Sequence, residues 1–385
     1  MSSQVVEVVL TGGPGAGKSS SLSYLSQKLR DRGLRVLVAP ELASQLILGG
    51  LDDLPSLRTT DPAVYQQVQR QMIAMQQLTH RAYRAIAESF SGQPTVILYD
   101  RAEMDISAYT DLHRWQALLD EQHLSLAEIR DCYDAVIHLV SAADGAEEHY
   151  APKGNPARIE ADLDAARAAD KRTLKAWTGH PHLRIIDNST SFDEKLARVL
   201  AEILRLCAHL IPGSAALAPL EYERKYLLRA APDFSLSPMR EAAAIEIKQT
   251  YLMTAEADSE LRVRRRAQDG QATYYLTRKI ETEGDGRLEE ERRISPGEYL
   301  ELLEGADPER APINKTRFCF AYESFYFEMD ALLREDGSTL WVLEIETPGP
   351  QVEIIMPPGI DVLREVTDDP QFRNSYLARQ TELNA

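Results

Sequence analysis

Residues 12–19 read Gly12-Gly13-Pro14-Gly15-Ala16-Gly17-Lys18-Ser19, with Ser20 next. Glycines at this density let backbone N–H groups turn inward onto phosphate oxygens. The spacing G-x-x-x-x-G-K-[ST] lies between the apolar run Val5–Leu10 and a stretch of helical pattern, so the positive end of a helix adds to the cradle. Lys18 is expected to reach the β- and γ-phosphates of ATP or GTP, and Ser19 to hold Mg²⁺. The pattern alone does not separate a kinase from a GTP switch. Asn314-Lys315 is followed by Thr-Arg rather than by the x-Asp of a guanine reader. Asp187-Asn188, after the last apolar run of this half, could edge a base, although a turn is the commoner reason for such a pair.

Two further strand ends carry chemistry. Ala39-Pro40-Glu41 closes the second apolar run, and Asp100-Arg101 closes the run Thr95–Tyr99. Parallel α/β sheets bind ligands beyond the carboxyl ends of their strands, which puts Glu41 and Asp100 near the phosphate cradle. A Pro-Glu and an Asp-Arg in these places resemble the small-molecule P-loop kinases of the nucleoside and nucleotide kinase group. The resemblance implies that Glu41 or Asp100 orients or deprotonates an acceptor hydroxyl, that Asp100 meets Mg²⁺ through water, and that Arg101 steadies a phosphate. The basic run from Lys153 and Arg158 through Arg167, Lys171 and Arg172 resembles the lid of those kinases. A solvated amphipathic helix is the alternative.

The second half of the chain alternates charge with apolar residues at a period of two. Glu221, Glu223 and Lys225 share a face of one run, and Glu246 and Lys248 of another. Arg262, Arg264 and Arg266 share one, then Thr277 and Lys279, Glu289 and Glu291, Lys315 and Arg317, Glu328 and Asp330, and Glu344 and Glu346. Eight successive charged faces fit either a solvated sandwich or a closed barrel with a polar lumen. Spacing does not choose between them.

The segment Glu221-Tyr-Glu-Arg-Lys-Tyr-Leu-Leu carries the ExExK signature and is similar to the CYTH superfamily, the triphosphate tunnel metalloenzymes. The likeness runs on in family order through "IKQTYL", "LRVRRR", "YYLTRK", "LEEE", "KTRF", "FEMD", "LEIE" and "REVTDDPQFRNSYLA". It implies an eight-stranded antiparallel tunnel with the charged face inward. By the same resemblance Glu221, Glu223, Glu344 and Glu346, with Asp330, are assigned to Mg²⁺ or Mn²⁺. Lys225, Lys248, Arg262, Arg264, Lys279, Lys315 and Arg317 are assigned to the phosphates. Glu289 and Glu291 either side with the metal or balance the arginines. The implied activity is metal-assisted hydrolysis of inorganic triphosphate, a nucleoside triphosphate or thiamine triphosphate. The order of the two halves also resembles the family of the TRPL translocation defect protein of fly photoreceptors. That likeness implies a GTP-binding regulator whose tunnel holds phosphorylated ligands or peripheral anionic lipid without cutting. A cyclase of the CYTH type, forming cyclic AMP, is a third reading of the same lumen.

These residues need scaffolds, and the chain supplies two. At 385 residues it exceeds an ordinary single core. Up to about residue 208 short apolar runs alternate with helical stretches such as 63–90 and 155–178, which predicts an α/β P-loop domain with a parallel sheet. The proline-bearing 209–220 reads as a linker, and 221–385 as a mainly antiparallel domain. Ser295-Pro-Gly-Glu298 predicts a helix start, and another helix is expected after Pro370.

The net charge of −17 argues against a general nucleic-acid binder. From residue 217 onward 21 Lys and Arg stand against 33 Asp and Glu, yet the cations are bunched on strand faces. Three scattered cysteines fit a reducing compartment. The N-terminus carries no basic leader and no apolar run approaches a membrane span, so a cytoplasmic protein is expected.

Overall fold

The computed structural model describes residues 4–90, 92–150, 162–211, 222–254, 259–281, 287–334, 336–347, 349 and 351–379. The chain divides into two compact units, Met1–Ser125 with Ile129–Pro219, and Leu220–Ala385 with Leu126–Glu128. In chain order the first elements are β1 (Val5–Thr11), α1 (Lys18–Arg30), β2 (Arg35–Ala39), α2 (Leu42–Leu48), α3 (Leu54–Thr60), α4 (Pro62–Glu88) and β3 (Thr95–Asp100). There follow α5 (Glu103–Ser107), α6 (Leu112–Glu121), α7 (Leu126–Arg130), β4 (Ala135–Leu139), α8 (Leu163–Trp177), β5 (Leu183–Ile186) and α9 (Phe192–Leu206).

The first sheet is parallel, in the order β2-β3-β1-β4-β5. Every residue of β1 is buried, as a central parallel strand with helices on both faces requires. Its one charge, Glu7, is compensated by the Tyr99 hydroxyl at 2.8 Å, the His80 ring at 3.0 Å and the Arg84 guanidinium at 2.5 Å. Helix α1 lays Leu22, Leu25 and Leu29 against this sheet, and α9 adds Val199, Leu200 and Ile203 to the same core. Caps set the helix starts: the Asp61 carboxylate accepts from Val64 N before α4, and Ser191 forms a capping box with Glu194 before α9. The successive crossovers turn to opposite sides of β1, which opens a crevice at its carboxyl end.

The second unit contains β6 (Tyr222–Leu228), β7 (Ala243–Leu252), β8 (Ser259–Gln268), β9 (Gln271–Glu281), β10 (Arg287–Ile294), α10 (Pro296–Leu303) and β11 (Ile313–Tyr322). It ends with β12 (Phe325–Leu333), β13 (Thr339–Thr347), β14 (Val362–Glu365) and α11 (Asn374–Leu377). They form a nine-stranded sheet in the order β10-β9-β8-β7-β11-β12-β13-β6-β14, every pairing antiparallel. This differs from the expected eight-stranded closed tunnel. The short β14 adds a ninth strand beside β6, and among the described residues no ladder joins β14 to β10. The added strand takes the free edge of β6 through a bulged register, Val362 opposite Leu228 and Arg364 opposite Leu227.

The charged face nevertheless turns away from solvent. Arg262, Arg266, Lys315, Arg317, Asp330 and Glu344 are all buried. The apolar backs pack elsewhere. Tyr226, Phe327, Met329, Leu343 and Ile345 form one cluster with Ile354 and Met356, and α10 brings Tyr299 onto Leu252, Val263 and Ile294. One end of the charged face is itself apolar, where Tyr251, Ile313, Leu332, Leu340 and Val342 meet Leu377 and Ala378. Ser295 caps α10 through Glu298 N at 3.1 Å, while the Glu298 carboxylate turns to Arg292.

Candidate functional sites

In the first unit the phosphate loop leaves β1 and enters α1. Gly12, Gly15 and Gly17 adopt positive φ. A methyl on Gly12 would lie 2.1 Å from the Leu139 carbonyl oxygen, so only glycine fits there. Lys18 Nζ donates to the Gly12 and Gly13 carbonyls at 3.0 and 3.2 Å. Burial, with Arg101 nearby, lowers its pKa. Ser19 and Ser20 are exposed in the first turn of α1, where backbone N–H groups have no partner within the helix.

The end of β4 buttresses this loop. Ser141 Oγ donates to the Pro14 carbonyl, and Ala142 N to the Gly15 carbonyl at 3.3 Å. Asp170 of α8 is the third support. Its Oδ1 accepts from Gly13 N at 2.6 Å and Ser141 N at 3.2 Å, and its Oδ2 lies 3.2 Å from His138 Nε2. Burial would raise the Asp170 pKa, but His138 and the two amides hold it below the ordinary value.

Glu41, Asp100 and Arg101 do converge with Lys18. The Arg101 guanidinium lies 2.8 Å from Glu41 and 3.0 Å from Asp105. Asp105 is anchored in turn by Ala102 N at 3.0 Å and Trp177 Nε1 at 3.1 Å. Arg101 has φ 66, a left-handed conformation that this clamp of carboxylates holds in place. Asp100 Oδ1 is buried with no hydrogen-bond partner among the described residues. Burial first, and then the Glu41 charge, push Asp100 up to about 6 despite Lys18. Glu41 stays lowered, because Arg101 and Lys18 outweigh its burial. Two carboxylates with opposed shifts beside a phosphate loop can divide proton acceptor and proton carrier between them.

The expected basic lid is not assembled among the described residues. Lys153 and Arg158 lie outside them. Arg167 pairs with Glu147 and Asp164 at 2.8 and 2.9 Å, and Arg172 donates to the Ala108 carbonyl at 3.1 Å. What α8 brings to the phosphate loop is a carboxylate.

In the second unit the register fixes which charges share a face, since directly opposed residues project to the same side. Lys225 stands opposite Glu344, Glu344 opposite Glu328, and Asp330 opposite Arg317. The contacts form one ionic chain. Lys225 Nζ lies 2.6 Å from Glu344 and 3.2 Å from Glu223. Arg317 reaches Glu344 at 2.6 Å and Asp330 at 2.7 Å, and also pairs with Glu328. Lys315 lies 2.5 Å from Asp330. Arg262 and Arg264 stand on the same side with Arg266, where Arg264 lies 3.7 Å from Glu291 and the Thr277 hydroxyl donates to Glu291 at 2.6 Å. Lys279 follows Thr277 on this face, opposite Glu260.

These pairings move the pKa values far. Burial alone would raise Glu344, but Lys225, Arg317 and Lys315 drive it well below the carboxylate range. Burial lowers Lys315, with Arg317 adding to the effect. Lys225 is raised, its two glutamates outweighing burial.

Lys248 does not join the set. Ile247 pairs with both Lys315 and Arg266, and Ile245 with Arg317, so β7 turns its apolar side inward. Lys248 and Glu246 are exposed on the opposite face. Glu221 lies outside the described residues, as do the side-chain surroundings of Glu289. Sequence reasoning left three participants unassigned: Glu328, Arg266 and Asp170. The first two share a period-two face with assigned residues, a signal that was available. Asp170 carries none, being one aspartate in a charged helix.

The metal expectation fits in donor chemistry and only in part in geometry. Glu223 and Glu346 stand directly opposite each other, a like-charge pair that a cation between them would relieve. Among the described residues no three His, Cys, Asp or Glu side chains converge on one point that could hold a metal. No described helix is long and apolar enough to cross a membrane.

Residues 7–195 match a family described as AAA domain, so the first unit is an AAA-type nucleotide-binding domain. Among solved structures, the hypothetical protein NE1496 is 30% identical over 42% of this chain and 98% of its own, with a TM-score of 0.30. The inorganic triphosphatase NE1496 is 29% identical over 42% and 96%, TM-score 0.30. The PH1819 protein from Pyrococcus horikoshii is 25% identical over 34% and 80%, TM-score 0.26. No curated protein matches the chain.

Proposed function

We propose that the second unit is a metal-dependent phosphohydrolase of inorganic, nucleoside or thiamine triphosphate. The first unit, on this reading, binds ATP or GTP and phosphorylates a small molecule or senses the nucleotide. The observation that carries the proposal is the buried ionic chain from Lys225 through Glu344, Arg317 and Asp330 to Lys315. Burying such a chain costs more than an apolar core of the same volume, so stability does not account for it. A polyanion does. Arginine forks take phosphate oxygens two at a time and lysines act as point charges.

Carboxylates in the same face would repel a bare triphosphate. Glu223, Glu344 and Glu346 would hold Mg²⁺ or Mn²⁺, which supplies charge neutralisation and activation of water. The cations they release would then be available to the phosphates. In the first unit Ser19 would hold Mg²⁺ beside the phosphates cradled by residues 12–20, with Asp100 and Glu41 facing an acceptor.

The test uses the full chain with tripolyphosphate and Mg²⁺ or Mn²⁺. Phosphate release that Arg317→Met or Glu344→Gln abolishes, and that Lys18→Ala leaves intact, supports the assignment. Release unaffected by Glu344→Gln, or lost with Lys18→Ala alone, moves the hydrolysis to the first unit and sinks it.

A further inference from the structure

Phe192 opens α9, directly after Ser191, whose hydroxyl accepts from Glu194 N at 3.3 Å and fixes the helix entry. A methyl on Gly17 would lie 2.7 Å from the Phe192 Cε2 and 3.0 Å from its Cζ. The ring therefore rests on the bare α-carbon of the glycine that precedes Lys18. It is nonetheless 45% exposed. A single exposed phenylalanine is unremarkable on a protein surface. One held against the phosphate loop, over a glycine whose positive φ disfavours any side chain, is placed.

Asp187 and Asn188, in the loop that leads from β5 into α9, make bonds of their own. Asn188 Nδ2 donates to the carbonyls of Ser141 at 2.8 Å and Asp144 at 2.7 Å, and its Oδ1 accepts from Lys195 Nζ at 2.7 Å. Asp187 Oδ1 accepts from Ser189 Oγ at 2.7 Å and Arg198 at 2.8 Å. The Asp-Asn pair that followed the last strand as a candidate base reader instead braces the loops around it. The Asn188 amide thus has both its ends committed, whereas the Asp187 bonds fall on Oδ1 and on its backbone carbonyl.

We propose that Phe192 is the stacking platform for the nucleotide base in the first unit. The inference rests on the reading that residues 12–20 hold the phosphates. Every base offers a π-face, so an aromatic platform binds bases without regard to identity and contributes about tenfold or more in affinity.

The test titrates full-length protein with ATP, GTP and tripolyphosphate, using Phe192→Trp as the reporter. ATP and GTP should both quench the indole, and tripolyphosphate should leave its fluorescence unchanged. Phe192→Ala should weaken both nucleotides about tenfold, Phe192→Leu nearly as much, while the constant for displacement of a fluorescent ATP analogue by tripolyphosphate stays put. Nucleotide affinities in Phe192→Ala equal to wild type overturn the platform. Failure of the wild-type chain to bind either nucleotide, or binding indifferent to Lys18→Ala, overturns the phosphate-loop reading itself, and the two failures are told apart by that control.

Discussion

Gly13 donates its backbone N–H to Oδ1 of Asp170, 157 residues further along, over 2.6 Å. That bond, with the Ser141 amide on the same oxygen, ties the first turn of the phosphate loop to the end of β4 and to α8. The loop is thus held from outside by a carboxylate, and its shape depends on a helix with no motif of its own.

Asp170→Ala should weaken nucleotide binding by roughly tenfold, about the worth of one charge-assisted hydrogen bond to a buried amide. Gly13→Ala should reproduce the loss, because its methyl would lie 2.7 Å from the Asp170 carboxylate. Asp170→Asn keeps an acceptor for Gly13 and should retain most of the affinity. The same carboxylate sets a pH dependence. Its folded pKa is lowered, so its stabilisation is present above the unfolded value of about 3.9 and is lost as pH falls through the folded one. Urea midpoints of wild type and Asp170→Asn should therefore converge in strong acid and separate above about pH 4. Equal midpoints at neutral pH would contradict the role.

Arg317 bridges three carboxylates, Asp330, Glu328 and Glu344. Arg317→Met leaves them facing one another in a buried setting, and removal of one partner from such a network costs about 3–5 kcal/mol. Chemical denaturation of the full chain should show that loss in the transition of the second unit. Saturating Mg²⁺ should restore part of it if the carboxylates take up the ion. An Arg317→Met protein as stable as wild type, with or without Mg²⁺, would show that the network is not under this electrostatic load.

How far the sequence reveals this architecture depends on the kind of signal. The parallel sheet was legible because buried central strands such as β1 are continuous apolar runs, and capping residues such as Ser191 mark helix starts. The phosphate loop was legible because its glycines answer to local backbone geometry. The charged strands were legible one at a time, but a period of two says only which residues share a face of their own strand. Whether Lys248 points with Lys315 or away from it depends on register between β7 and β11, which no residue of β7 encodes alone. The ninth strand was missed for a related reason: four residues beside a free edge carry almost no pattern. Asp170 was out of reach because its partners are two backbone amides and a histidine distant in sequence.

That register makes a sharp contrast. Lys248→Ala removes an exposed ammonium on the face opposite the ionic chain, so triphosphate hydrolysis by the full chain should keep its kcat and KM within about twofold. Lys315→Ala removes a cation buried beside Asp330 and should lower kcat/KM by at least about a hundredfold, the scale of one preorganised charge at a reacting phosphate. Steady-state phosphate release with Mg²⁺ measures both. A large defect in Lys248→Ala would mean that catalysis uses the outer face.

Asp100 supplies a pH signature of the opposite sign from Asp170. Burial raises its folded pKa from 3.8 to about 6. Below about pH 4 the carboxyl is protonated in the folded and unfolded chains alike, and it contributes no pH dependence. Between about 4 and 6 the unfolded chain releases the proton while the folded chain keeps it, so stability falls as pH rises. Above 6 the full penalty stands, about 2–3 kcal/mol for a shift of this size. Asp100→Asn removes the ionisation and with it the penalty. The variant should be more stable than wild type at pH 7, with an advantage that shrinks to almost nothing by pH 4, read from urea denaturation midpoints at each pH. An advantage that stays constant over that range would mean that Asp100 is ionised no differently in the folded chain, and that the buried oxygen beside the phosphate loop is not the proton-holding group its surroundings make it.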